Sequence, residues 1–250
     1  MSTKLLKLIS KEKESPSSVT LRFAKSDASS FEFVGGQYVI LNVGNDIEGK
    51  PIKRAYSILS SDSIQDSFRI RIKCLNTGKA SSILECLEPG QELEYSGPWG
   101  KFVGNPEWPS EGNTLVLATD TGITTLLGLV RSKKFSNRLD RTIAVWLKTE
   151  EEDFLSGSEI KNELSELSFY PNIFIIPFIS DPNRIQNSLE ILKSIIEKSG
   201  VPTNAFLSGD GNVLRVIQAE LIKIGTPEPN IGIEAFFNTA RNSAQGIVKV

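Results

Sequence analysis

The stretch KRAYSILSS, residues 53 to 61, sets a guanidinium, an aromatic ring and a hydroxyl side by side at Arg54, Tyr56 and Ser57. Arg54 offers a planar fork of donors that matches a pyrophosphate, and Tyr56 offers an aromatic face on which a flat ring can stack. Ser57 supplies a small hydroxyl for a ring nitrogen. Further on, GKASS at 78 to 82 runs into a helical pattern, so the N–H groups of Lys79, Ala80 and Ser81, with the Ser81 hydroxyl, can meet the same pyrophosphate. The plainer reading makes RAYS an ordinary strand and GKASS an ordinary helix start. Both stretches together favour a site for a phosphate-bearing, flat-ringed ligand.

A second phosphate geometry is written in LVLATDTGITTLLG, residues 115 to 128: a buried strand, a glycine turn, then a helix. Asp120 sits in that turn. A carboxylate about 6 Å from a phosphate charge, at an effective dielectric near 20, costs roughly 3 kcal/mol, about a hundredfold in affinity. Asp210 in FLSGDGNVL and Asp181 after NIFIIPFIS repeat the pattern, and Glu150, Glu151, Glu152 and Asp153 follow Lys148 closely. Each has an alternative role. Asp120 can cap a helix starting near Thr121 and Asp210 one starting near Gly211, while the acidic run can be a solvated helix start. Capping and exclusion of phosphate are compatible.

The elements that position these residues change period along the chain. Up to about residue 105, SVTLRF, YVILNV and FRIRIKC alternate apolar with polar residues, and Phe68, Ile70, Ile72 and Cys74 share one face. With glycine and proline turns between them, these predict an antiparallel β-barrel interrupted by one helix near 81 to 87. After PEWPSEGN, residues 106 to 113, five apolar strands alternate with helices: TLVLAT, TIAVWL, NIFIIPFI, NAFLSG and IGIEAFF. That order predicts an α/β domain on a parallel five-stranded sheet. Leu189, Leu192 and Ile196 line one helix, and Val213, Ile217, Leu221 and Ile224 the next. The expected domains are residues 1–107 and 112–250.

Composition narrows the chemistry. With 250 residues, 39% apolar residues and net charge −2, the chain reads as globular and has no basic field for nucleic acid. Zero histidines and two cysteines argue against Ser-His hydrolysis and against zinc or iron–sulfur sites, so no metal is expected and redox work needs an organic cofactor. The N-terminus lacks a signal-peptide apolar run and no segment reaches transmembrane length, which predicts a cytoplasmic protein without a membrane partner. Oligomeric state is not legible.

Arg54, Tyr56 and Ser57, then Gly78 and Ser81, then the GPWGKF turn at Gly97 to Phe102, stand in the order found in the ferredoxin–NADP reductase family of flavoproteins. The chain resembles that family over nearly its whole length. The resemblance implies a flavin-binding barrel followed by an NAD(P)-binding-like α/β domain. FAD would be held by Arg54, Ala55, Tyr56 and Ser57, by the backbone of Arg71, Ile72 and Lys73, and by Gly78, Lys79, Ala80 and Ser81. FAD is favoured over FMN by the tail after Phe237, which in bacterial relatives can reach the adenine side.

The resemblance further implies NADH or NADPH as donor and a ferredoxin- or flavodoxin-like carrier as partner. Ser57, Thr121, Ser208 and Glu234 stand at its catalytic positions, and Thr121 and Phe236 also near the flavin. Phe236 or Phe237 as plain strand core is the even alternative. The chain departs from the pattern at Asp120, at Ser208-Gly209-Asp210 where the family has cysteine-glycine-proline, and at Asp181 where relatives using NADP often carry arginine. These departures favour NADH over NADPH. They also leave open a flavin-binding electron-transfer or regulatory module with weakened or lost dinucleotide binding.

Overall fold

The computed structural model describes residues 4–75, 78–103, 108–109, 111–149 and 154–237. Contacts divide the chain into two compact units. The first comprises residues 1–103, 127–136 and 153–166, and the second 104–126, 137–152 and 167–250.

In the first unit the alternating segments form β1 (Leu5–Ser15), β2 (Ser18–Lys25), β3 (Tyr38–Asn45), β4 (Pro51–Ser57), β5 (Ser67–Lys73) and β6 (Glu92–Trp99). All pairs are antiparallel, in the order β4-β3-β6-β1-β2-β5. The sheet rolls closed: Leu59, just past β4, donates its N–H to the Arg69 carbonyl of β5 at 2.8 Å. Period-2 alternation aims Val19, Leu21 and Phe23 of β2 and Ile72, Ile70 and Phe68 of β5, paired in register, into one core. Burying each such side chain contributes about 1.5–3 kcal/mol. Helix α1 (Lys79–Cys86) adds Ala80 and Leu84 to that core. It begins two residues earlier than the pattern predicts, because the Ser82 N–H already bonds the Gly78 carbonyl.

The second unit carries β7 (Thr114–Thr119), β8 (Thr142–Lys148), β9 (Asn172–Ile175), β10 (Asn204–Asp210) and β11 (Ile231–Phe237), all parallel, in the order β11-β10-β7-β8-β9. The adjacent strands β7 and β10 are buried at every residue, as inner strands of a parallel sheet are. Helices α4 (Arg184–Ser199) and α5 (Gly211–Lys223) bury Leu192 and Ile195, and Val213, Ile217 and Leu221. Of the preceding helices α2 (Ile123–Val130) and α3 (Gly157–Glu163), residues 127–130 and 157–163 group with the first unit. The predicted strand NIFIIPFI stops at Ile175, since Pro177 has no N–H with which to continue a ladder. No described helix is long and apolar enough to cross a membrane. Pro106, Glu107 and Ser110 of the expected linker, the acidic residues 150–153 and the tail 238–250 lie outside the described residues.

Candidate functional site

On β4, alternation puts Arg54 and Tyr56 on one face and Ser57 on the other. Arg54 is exposed, and its Nη1 donates to the carbonyl of neighbouring Lys53 at 2.8 Å. The Tyr56 ring is half-buried against the barrel core, and burial, opposed by the Arg54 charge, pushes its phenol pKa up to about 12. It therefore stays a neutral donor with an aromatic face. Ser57 is buried opposite Tyr38, and Ala55 is exposed.

Within β5, the Ile72 side chain is in the core and the Arg71 side chain is buried, donating to Ser18 Oγ at 2.9 Å and lying 2.7 Å from Glu159 Oε1. Both side chains are turned inward, and the resemblance expects only the backbone of these residues along a ligand. Lys73 pairs with Ser18 across the β2–β5 ladder and is half-buried.

The start of α1 has no side-chain cap at Gly78 and no acidic residue in its first turn. A Cβ at Gly78 would stand 2.5 Å from Ser81 Oγ, so a larger residue would have to displace that hydroxyl. Ser81 Oγ donates to the Gly78 carbonyl at 2.9 Å and accepts from the Leu75 N–H at 3.3 Å, which ties the hydroxyl to the turn that opens the helix. The backbone N–H groups of Lys79, Ala80 and Ser81 stand in the first turn of α1. An unblocked guanidinium, a helix start without an acid or a cap, and an aromatic face form a donor set that fits a flat-ringed ligand with a diphosphate arm.

In the second unit, β7 and β10 are adjacent, and the chain leaves β7 for β8 and β9 on one side before returning to β10 and β11 on the other. Their carboxyl ends therefore mark the switch point at which open α/β sheets bind ligands. Two loops meet there. Asp120–Gly122 form a 3₁₀ turn before α2, with Asp120 at φ +47°. The Asp210 N–H donates to Thr119 Oγ1 at 2.7 Å, Ser208 Oγ to the Gly122 carbonyl at 3.0 Å, and Trp146 Nε1 to the Asp120 carbonyl at 2.9 Å. A Cβ on Gly122 would lie 2.4 Å from the Ser208 carbonyl oxygen, and one on Gly209 2.3 Å from Thr119 Oγ1.

Between the loops sits a residue that sequence reasoning missed. Arg184 is 2% exposed and donates through Nε to Asp210 Oδ2 at 3.1 Å, through Nη2 to Asp120 Oδ2, and through Nη1 to the Pro177 carbonyl at 2.6 Å. Asp120 is thus an ion-pair partner, and the 3₁₀ turn that it starts has no side-chain cap. Asp210 does cap α5, accepting from the Asn212 N–H at 2.9 Å, and pairs with Arg184 as well. Neither residue is a lone carboxylate: the two share one guanidinium. One signal was available: Arg184 opens α4, at the positive end of the helix dipole where a cation is unfavourable, so its charge had to be answered elsewhere.

The remaining expected residues separate. Thr121 is half-buried and its carbonyl accepts from Thr124 Oγ1 at 2.9 Å. Ser208 is fully buried with its hydroxyl on Gly122, so it braces the loop. Glu234 pairs with Ser208 across the β10–β11 ladder. Gly209 pairs with Ala235 and Asp210 with Phe237, which leaves Phe236 as the extra residue of a bulge, 37% exposed and outside the core. Asp181 shapes the approach to α4, its Oδ1 accepting from the Asn183 N–H at 2.8 Å.

Residues 5–103 match the family of oxidoreductase FAD-binding domains. Ferredoxin–NADP reductase B of Sorangium cellulosum is 33% identical over 144 residues, 56% of this chain, which spans just over half (56%) of that protein's length. NADH-cytochrome b5 reductase 1 of Cryptococcus neoformans is 26% identical over 240 residues, covering 89% of this chain and 79% of its own. The solved ferredoxin NADP+ reductase from Neisseria gonorrhoeae, with bound FAD and NADP, superposes with a TM-score of 0.73 at 19% identity over 95% of this chain and 100% of that one. The two-domain fold is shared.

Proposed function

Since residues 5–103 match the oxidoreductase FAD-binding domains, we propose that the chain is an FAD-dependent oxidoreductase that moves electrons between a nicotinamide dinucleotide and a separate protein carrier. When bound, FAD supplies the exchange between two-electron hydride transfer and single-electron transfer. The chain supplies binding and orientation. Arg54 and the α1 backbone N–H groups hold the diphosphate, Tyr56 stacks on the ring, and Ser57 offers a hydroxyl to a ring nitrogen. The backbone of Arg71, Ile72 and Lys73 lies along the cofactor. Thr121 and Glu234 serve the nicotinamide side, with Ser208 bracing the Thr121 turn and Phe236 presenting an exposed ring.

NADH is the favoured donor, because the sequence has Asp181 at the position where relatives using NADP often carry an arginine. The carrier is of ferredoxin or flavodoxin type, with a cytochrome b5-type haem protein as the alternative that the second relative raises. Domain limits of 1–107 and 112–250 and a cytoplasmic location belong to the same proposal. The observation that carries it is the conjunction of Arg54 and Tyr56 on one face of β4 with the uncapped α1 start. Heat-released flavin from the purified protein should be FAD, shown by the rise in fluorescence on phosphodiesterase treatment. Release of FMN or of no flavin overturns the assignment.

The Arg184 cluster favours one second reading, a flavin-binding electron-transfer module with weakened dinucleotide binding. Robust NADH-driven reduction of ferricyanide eliminates it.

A further inference from the structure

The Asp120 carboxylate rests on a buried guanidinium at the carboxyl ends of β7 and β10, where a parallel sheet presents its ligand crevice. Guanidinium forks recognise carboxylate and phosphate oxygens with the same planar geometry. Arg184 is already neutralised by Asp210, so Asp120 adds a second carboxylate and leaves the cluster with formal charge −1. Asp120 reaches that position from a left-handed backbone, φ +47°, held by the Trp146 indole on its carbonyl.

We propose that Asp120 is a built-in anion occupying the Arg184 position a diphosphate would otherwise take, and is thereby the residue that sets how weakly the second unit binds phosphate-bearing donors. The proposal rests on the dinucleotide reading above. In this chain a donor is then recognised chiefly through its nucleoside and nicotinamide parts. Without the Asp120 side chain, Nη2 of Arg184 faces an anionic oxygen of the ligand, while Asp210 keeps the guanidinium anchored.

The test is calorimetric titration of the FAD-loaded protein with ADP and with adenosine, for wild type, D120G, D120N and D120N/R184M. D120G removes the carboxylate and accepts the left-handed backbone, and D120N keeps the shape without the charge. The proposal expects wild type to bind ADP no tighter than adenosine. D120G and D120N should gain at least tenfold for ADP with adenosine unchanged, and the double variant should lose that gain.

It is overturned if wild type already prefers ADP tenfold, if folded D120G and D120N show no gain, or if the gain survives R184M. Should neither glycine nor asparagine fold, the wild-type ratio alone decides. Flavin bleaching by NADH in the same preparations separates the two claims: its absence refutes the donor assignment, whereas the ADP gain still reports on Asp120 and Arg184.

Discussion

Arg184 holds a positive charge between two carboxylates and a carbonyl, with almost no water to replace them. Removing one partner of a buried ion pair leaves the others uncompensated, at a cost of about 3–5 kcal/mol. R184M should therefore lower unfolding free energy by about that much, measured by urea denaturation followed by tryptophan fluorescence. Arg54 is the opposite case, exposed and bonded to its neighbour's carbonyl. R54A should leave apoprotein stability within about 0.5 kcal/mol of wild type. FAD affinity should fall roughly tenfold to a hundredfold, the worth of one charged hydrogen bond, read by flavin fluorescence on dilution. The two arginines also differ in legibility. Arg54 announces itself through Tyr56 and Ser57 beside it, whereas the partners of Arg184 lie 64 and 26 residues away. Those separations hid the pairing and made Asp120 and Asp210 look like isolated obstacles.

At the scale of elements, β5 and α3 are joined by matched spacings. Arg69 and Arg71 are two residues apart on a strand, about 6.6 Å, while Glu163 and Glu159 are four apart on a helix, about 6 Å. Arg69 accordingly grips Glu163 with both Nη atoms, at 2.8 and 2.7 Å, and Arg71 meets Glu159. Arg131 adds a contact to Glu163 at 2.5 Å. Burial pushes the Glu163 carboxyl up, but the Arg69 hydrogen bond and the charges of Arg131 and Arg69 outweigh it and hold it below its ordinary 4.5. Because the folded value is the lower one, Glu163 stabilises the fold above pH 4.5 and the contribution is lost as pH falls below it. E163Q should flatten that part of the stability-against-pH curve in the acid range, and an unchanged acid limb would contradict it.

Tight backbone contact between the β7 and β10 loops gives a second element-scale expectation. G122A should destabilise by about 1–3 kcal/mol, because the added methyl meets the Ser208 carbonyl, which cannot swing away. Strand and helix types were legible from period alone. The end of β9 and the start of α1 were not, because a proline's missing N–H and a single carbonyl bond at Gly78 set them.

For the whole molecule, the change of period near residue 106 anticipates an antiparallel barrel followed by a parallel sheet, and both are present. Contacts assign residues 127–136 and 153–166 to the first unit although they follow the sequence boundary, because their anchors, such as Asp62 accepting from Ser132 Oγ and Glu163 from Arg69, come from that unit. Linear reading cannot see such anchors. The central claim is that the chain binds FAD and accepts electrons from a nicotinamide dinucleotide, and anaerobic titration of the purified yellow protein with NADH, and separately NADPH, tests it most directly. The flavin absorbance should bleach stoichiometrically with NADH and more slowly with NADPH at equal concentration. Protein without flavin absorbance, or a flavin that neither donor bleaches, would contradict it.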